Sequence, residues 1–471
     1  MSQPFLAKKE SRKKMKNTPV QKNQELEVTV EDLSYQGRGV AKVDHYPLFI
    51  DDALPSEKIL AHVMKASRNY GFAKVIKRYN DSPDRQLDSE SAYLQTGIAP
   101  LQHLKYEAQL RFKQQQIEEL LHKAHLDQIA VASTRGMAEP LHYRNKAQIP
   151  VRMVNGQLET GFFRQRSHQF VPMHDFLIQD PRIDQVLEAV QAVLREFEVP
   201  AYNERQHSGV IRHIVIRRGH YSGQVMVTLV TRSRKLPAGT QLAQQIMSHC
   251  QDVVSVYQNI NADKTNVIMG KQEKLLAGKP QIEDQLNGIK FAISPRSFFQ
   301  VNSLQTEKIY QYVAEAAQLS GKETVIDAYC GIGTISLSLA KKAKQVYGVE
   351  IVADAIKDAK QNAVLNGITN AEFKVAAAEE QFGKWASAGL KPDIVVFDPP
   401  RKGLETKVLE NTLTLAPKKI VYVSCNPATL VRDLQFLTEN GYQVTGPIQP
   451  FDQFPQTNHV ESVTVLERTE K

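Results

Sequence analysis

Ile420–Leu430 reads IVYVSCNPATL, and the fold of the last third of the chain turns on it. Ile420-Val421-Tyr422-Val423 is an apolar, β-branched run, which indicates a buried strand. Asn426-Pro427 then opens a helix, because Asn is a favoured N-cap and Pro is favoured at the first helical position. Cys425 therefore falls on a strand-to-helix corner. The partial positive charge of the helix N-terminus there favours thiolate over thiol. Two readings compete: a catalytic nucleophile and a buried apolar Cys.

Working outward from about Phe291, apolar strand candidates alternate with helices. ETVIDAYCGIG is followed by a helix at about Thr334–Lys344, then QVYGVE, then a helix at about Asp354–Asn366. Asp354 is the expected N-cap of that helix and Gly367 its stop. DIVVFDPPR, KIVYVSCNP, YQVTGPIQPF and VESVTVLER complete the series. Such alternation predicts a mostly parallel, doubly wound sheet, whose ligands bind beyond the carboxyl ends of the strands.

Chemistry-bearing residues cluster at that edge. Asp327–Gly333 is a glycine-rich strand-to-helix turn that lets a ligand approach the backbone. Glu350 ends the next strand, where an acid accepts hydrogen bonds from ribose hydroxyls. GxGxxG is absent, so the pair suits S-adenosylmethionine better than NAD; two ordinary βα turns are the alternative. Asp398-Pro399-Pro400-Arg401 forms a stiff loop after a central strand. Glu461, with His459 close by, starts the last strand as a candidate acid–base group. Alone it reads as an exposed edge carboxylate.

The remainder frames these motifs. The 471 residues suggest about three domains of roughly 150 residues each. Lys+Arg exceed Asp+Glu by 59 to 51, an excess consistent with a polyanionic partner. Cys250, Cys330 and Cys425 are too scattered for a disulfide framework or a zinc site, which points to a reducing, cytoplasmic setting. No apolar run approaches the ~18 residues of a membrane span. Residues 1–22 form a basic arm. Short strands with glycine turns from Glu25 to about Lys77 predict a small β-barrel interleaved with basic and aromatic residues, a mix suited to RNA. Asn80–Gln95 reads as a polar linker and Leu101–Leu126 as a helix. A mixed α+β region follows, with a hairpin at Asn155-Gly156 and basic residues including Arg144, Lys146, Arg152 and Arg212.

SPRSFFQVN (294–302), DAYCGIGTISL, GVE, FDPPR, VSCNPATL and HVESV, in that order, resemble the motif series of the RNA uracil-C5 methyltransferases. VEDLSYQGRGVAK and FIDDALPSEKI resemble the TRAM domain, an OB-like barrel that binds RNA. LQHLKYEAQLRFK and HYRNKAQIPV resemble that family's central region. The resemblance implies a multidomain chain: basic arm 1–22, TRAM β-barrel 23–80, linker and central RNA-binding α+β domain 81–290, and a Rossmann-like class I methyltransferase domain 291–471. It places Gln300, Tyr329, Glu350 and Asp398 on the S-adenosylmethionine contacts, Cys425 on the nucleophile and Glu461 on the general base. Many relatives hold a four-cysteine iron–sulfur cluster, but residues 89–104, SESAYLQTGIAPLQHL, contain no Cys. No cluster and no metal site are expected.

The implied activity is methylation of uridine C5 in RNA through a covalent Cys–C6 adduct. Its expected target is 23S rRNA at one or two positions, with the tRNA T-loop as the alternative. A monomer is expected. DPPR also resembles the loop of exocyclic-amine methyltransferases, which need no Cys; Arg401 in place of an aromatic, and the SCNP run, argue against that. A non-catalytic RNA-binding or ribosome-assembly protein is the remaining rival.

Overall fold

The computed structural model describes residues 18–88 and 91–469. The expected basic arm, up to Asn17, lies outside the described residues. The described residues divide into two compact units, one holding 18–88 and 103–105 and the other 91–102 and 106–469.

The first unit contains β1 (Glu25–Thr29), β2 (Asp32–Leu33), β3 (Gly39–Val43), β4 (Tyr46–Asp51), β5 (Lys58–Ala66) and β6 (Gly71–Arg78), in the order β1-β5-β6-β4-β3-β2. β1 and β2 are nearly continuous. One pairs with β5 and the other with β3, so the sheet closes into a barrel. The inward positions Leu48, Ile50, Ile59, Ala61 and Val63 have no exposed surface. Gly39 is required at the crossing: a Cβ there would lie 2.7 Å from the Ala53 carbonyl.

The second unit opens with a short helix, Ser91–Thr96, inside the stretch expected to be a polar linker. Tyr93 buries there in the same core as Phe176 and Val186, and this tertiary burial overrides the polar composition. The helix Tyr106–Lys123 follows. The central sheet comprises β7 (Lys146–Val154), β8 (Gln157–Phe163), β9 (Phe170–Pro172), β10 (Ile211–Arg218), β11 (Val225–Thr231), β12 (Val253–Ile260) and β13 (Gln272–Gly278), in the order β13-β12-β11-β10-β7-β8-β9. Asn155 (φ 50°) and Gly156 (φ 81°) turn β7 into β8, the geometry an Asn-Gly hairpin adopts. The helices Pro181–Glu196 and Gly239–His249 cover one face of the sheet.

A hairpin of β14 (Ile282–Leu286) and β15 (Ile289–Ile293) leads into the last sheet. Its strands are β16 (Thr324–Ala328), β17 (Gln345–Glu350), β18 (Ala371–Val375), β19 (Ile394–Phe397), β20 (Lys419–Ser424), β21 (Tyr442–Val444), β22 (Gln449–Phe451) and β23 (Glu461–Arg468). The order is β18-β17-β16-β19-β20-β23-β21, with β22 also on β23. The first five strands are parallel, and β23 runs antiparallel to β20. β20 shows why the sequence is continuously apolar: Val421 and Val423 pack into the core on one side, Ile420 and Tyr422 into the core on the other. Each such fully buried side chain contributes about 1.5–3 kcal/mol of hydrophobic free energy. The helix expected to start at an Asp354 N-cap begins at Ala353 with Val352 as N-cap. Glu350 Oε1, not Asp354, accepts the Val352 N–H, at 2.9 Å.

Candidate active site

Because β16, β17, β19 and β20 are parallel, the loops that follow them meet at one edge of the sheet. These loops carry Tyr329, Asp398 and Cys425, and Glu350 ends β17. Glu461 reaches the same edge from the opposite direction, at the start of antiparallel β23. The register pairs Ser424 with Ser462 and Phe451 with Glu461, so Cys425 and Glu461 follow one another at the mouth of the β20–β23 ladder. Glu461 is 8% exposed. β20 and β22 flank it, so it is not an exposed edge group.

The corner at Cys425 is held by its neighbours. Asn426 caps the helix Pro427–Glu439, accepting from the Ala428 N–H at 3.2 Å, and its Nδ2 donates to the Arg401 carbonyl at 2.8 Å. Asp433 of that helix is fully buried and accepts from the Tyr422 hydroxyl (2.7 Å) and the Leu404 N–H (2.9 Å). The Asp398–Leu404 loop is thereby fastened to the helix that follows Cys425.

The electrostatics run against the local expectation. Burial first, then the charges of Glu461 and Asp398, push the Cys425 thiol up to about 12; Arg401 pulls the other way. The resting group is a thiol, because a helix terminus of about 0.3–1 kcal/mol is outweighed by desolvation and two facing carboxyls. Burial, then Asp398, raises Glu461 well above the carboxylate range. Burial raises Asp398 to about 7. His459 is pushed down to about 4 by burial and by Arg401, whose Nη2 lies 3.0 Å from its Nε2, so the ring is neutral near pH 7.

Tyr329 adopts φ 67°, an uncommon left-handed conformation for an aromatic residue, and its N–H donates to Val349 O at 2.9 Å. Gly331 (φ 53°) has nothing within 4 Å of where a Cβ would be, so its backbone is open to a ligand. Cys330 lies beneath the turn against Gly348, its thiol raised by burial, Asp327 and Glu350. Asp327 has no exposed surface; Ser336 bonds Oδ2, while Oδ1 has no partner. An open glycine turn, a strand-end acid and raised carboxyls suit a cationic nucleoside, and these residues fit S-adenosylmethionine. The Tyr310 hydroxyl lies 3.0 Å from Thr334 Oγ1, among Gln300 and Asp398. Among the described residues, no group of three or more His, Cys, Asp or Glu side chains is arranged to hold a metal ion.

Sequence reasoning missed what supports this edge. The 452–459 segment that delivers Glu461 is gripped from the helix Tyr106–Lys123. Lys113 Nζ pairs with Asp452 and donates to Phe454 O at 3.0 Å, and Gln109 Oε1 accepts the Gln456 N–H at 2.9 Å. Asn302 Nδ2 donates to Gln453 O at 2.9 Å, and Gln453 Nε2 reaches Gln300 Oε1 at 3.5 Å. The available signal was Gln109 and Lys113, four residues apart on one helix face. Phe298, 68% exposed two residues before Gln300, was also passed over.

Residues 105–469 match the tRNA (Uracil-5-)-methyltransferase family, and residues 19–76 match the TRAM domain. An uncharacterized RNA methyltransferase of Lactiplantibacillus plantarum is 55% identical over 96% of this chain and 99% of its own. One from Enterococcus faecalis is 51% identical over 96% of this chain and 99% of its own. The crystal structure of Pyrococcus abyssi tRNA (uracil-54, C5)-methyltransferase in complex with S-adenosyl-L-homocysteine superposes with a TM-score of 0.75 at 27% identity, covering 94% of this chain and all of that one. With its TRAM barrel and its S-adenosylmethionine-dependent methyltransferase fold, the chain belongs to the tRNA (uracil-5-)-methyltransferase family of RNA-modifying enzymes.

Proposed function

We propose that the protein methylates C5 of uridine in RNA through a covalent adduct of Cys425. The Ser424–Ser462 register carries this reading, because it sets a thiol and a buried carboxyl at adjoining strand ends. C5 of uracil is a poor nucleophile. Addition of the Cys425 sulfur to C6 gives an enolate with carbanion character at C5, which is why a Cys is needed. As the sulfur adds, its proton passes to the Asp398 carboxyl, which burial holds at about 7, and Arg401 beside the site holds the developing negative charge. S-adenosylmethionine supplies the electrophilic methyl group that C5 receives. Glu461 then acts in its carboxylate form: it removes the C5 proton, the C6–S bond breaks as the C5–C6 double bond re-forms, and the departing sulfur takes back the proton held on Asp398. The residues that hold the cofactor are Gln300, Tyr329, Glu350 and Asp398. Exposed Phe298 is suited to stack against a base beside the extruded uridine.

As target we infer 23S rRNA at one or two uridines, a reading supported by the TRAM domain and the extended central region. The tRNA T-loop is the second reading, supported by the Pyrococcus abyssi enzyme, which acts on uracil-54 of tRNA. Three free cysteines and an RNA substrate suit the cytoplasm; among the described residues no helix is long and apolar enough to cross a membrane. Mapping 5-methyluridine in total RNA from cells with and without the protein tests the reading. Loss at one or two 23S positions is expected. Loss at the T-loop selects the second target, and an unchanged map overturns both.

A further inference from the structure

One face of the central sheet forms a track that leads away from the Cys425 site. Along β7, Ala147, Ile149 and Val151 pack into the core, which leaves Lys146, Gln148, Pro150 and Arg152 on the other face. The β10 register sets Arg217 opposite Lys146 and His213 opposite Pro150 on that same face. The track starts beside the candidate site: Asn145 Nδ2 donates to Gln300 O at 3.0 Å, and Arg217 Nη2 donates to Ser297 O at 2.6 Å. Arg144, Lys146 and Arg217 stand together there, and among the described residues none has an ion pair. Arg217 is 3% exposed, and its Nη1 has no hydrogen-bond partner. Burial, then Arg217 and Arg144, push the Lys146 ammonium down to about 7. Such a cluster calls for an anion.

Six residues further along β7, roughly 20 Å at the usual strand rise, a cleft of about 600 Å³ opens at Arg152. The Arg152 guanidinium lies 5.0 Å from the Phe163 ring centre and 5.7 Å from that of Tyr202. Arg212 lies 4.8 Å from the Tyr202 ring centre. Phe163 and Phe170 meet edge to face at 5.5 Å. Arg205 lines the solvent side, and the one acid in the lining, Glu204, is 3.9 Å from Arg152. None of these residues belongs to the Cys425 site.

We propose that this cleft is a subsite for an unstacked nucleotide of the RNA substrate, a few positions along the strand from the uridine at Cys425, with the base against Phe163 and the phosphates on Arg152 and Arg205. Interleaved aromatic and Arg side chains are what single-stranded RNA requires. The Arg144–Lys146–Arg217 cluster takes a backbone phosphate between the two sites. The inference rests on the reading that the chain methylates RNA.

Full-length R205Q and F163L chains test it. Arg205 is exposed, so its loss leaves the fold intact. With unmodified total RNA from cells lacking the protein, KM should rise by about tenfold in F163L, with kcat within about twofold. With a fluorescent decauridylate, R205Q should lower the slope of log affinity against log salt by about 0.7. A wild-type-like KM for F163L together with a wild-type-like slope for R205Q overturns the subsite. If the wild-type chain transfers no methyl group to RNA, the proposed function falls instead, and the decauridylate slope still decides the cleft.

Discussion

Lys113 and Asp452 form an ion pair in which neither side chain has any exposed surface. The pair joins the helix Tyr106–Lys123 to the strand-connecting segment that ends at Glu461. Desolvation pushes the Lys113 ammonium down, and Asp452 opposes that shift. Removing one partner strands the other charge. K113M should therefore cost about 3–5 kcal/mol of stability, read by urea denaturation. Replacing both partners by apolar side chains should recover part of that loss. If K113M unfolds like the wild type, the pair is not a structural tie.

Cys425 and Glu461 act at different steps of the proposed cycle, so their variants should fail differently. C425A should lose methyl transfer by about three orders of magnitude or more while still binding S-adenosylhomocysteine. E461Q should accumulate protein bound covalently to RNA, seen as a slow band on a denaturing gel, because the C5 proton stays on. RNA substituted with 5-fluorouridine should trap the wild type in the same way. Absence of any trapped species would favour an amine-directed mechanism at Asp398-Pro399-Pro400-Arg401.

Residues 89–104 lack cysteine, and Tyr93 packs into the core there, its hydroxyl bonded to Asp175 O at 2.9 Å. An iron assay of the purified protein should read far below the four irons per chain that a [4Fe–4S] centre needs. Four irons per chain would overturn the expectation drawn from the sequence.

What could be read in advance was local. The strand, the Asn-Pro helix start and the corner at Cys425 are written in adjacent residues, and chain order places Glu350 and Asp398 at the same sheet edge. Glu461 is different: its burial comes from β20 and β22 on either side, and no neighbour in sequence signals it. The partner of Lys113 lies 339 residues away. The protonation of Cys425 departs from the local expectation for the same reason. The helix terminus is visible locally, whereas the opposing carboxyls of Glu461 and Asp398 arrive from other strands. Asp354 is a good capping residue by type, but Glu350 takes the Val352 N–H and the helix starts at Ala353, earlier than an Asp354 cap allows.

Asp398 gives the clearest pH signature. Burial holds its carboxyl at about 7 in the folded chain, against about 3.9 when unfolded. Burial, with Asp398 and Glu350 near it, holds Asp327 at about 7 as well. Between about pH 4 and 7 the folded state therefore binds protons that the unfolded state has lost. Stability from these groups is complete below about pH 4 and falls as pH rises to about 7. Binding of the cationic cofactor should run the other way, because it favours the carboxylates. Calorimetric titration with S-adenosylmethionine should show affinity rising from pH 6 to a plateau above about pH 7, and D398N should flatten the rise. A wild-type affinity that is level across this range would mean that neither carboxyl faces the cofactor. A rise that persists unchanged in D398N would transfer the effect to Asp327.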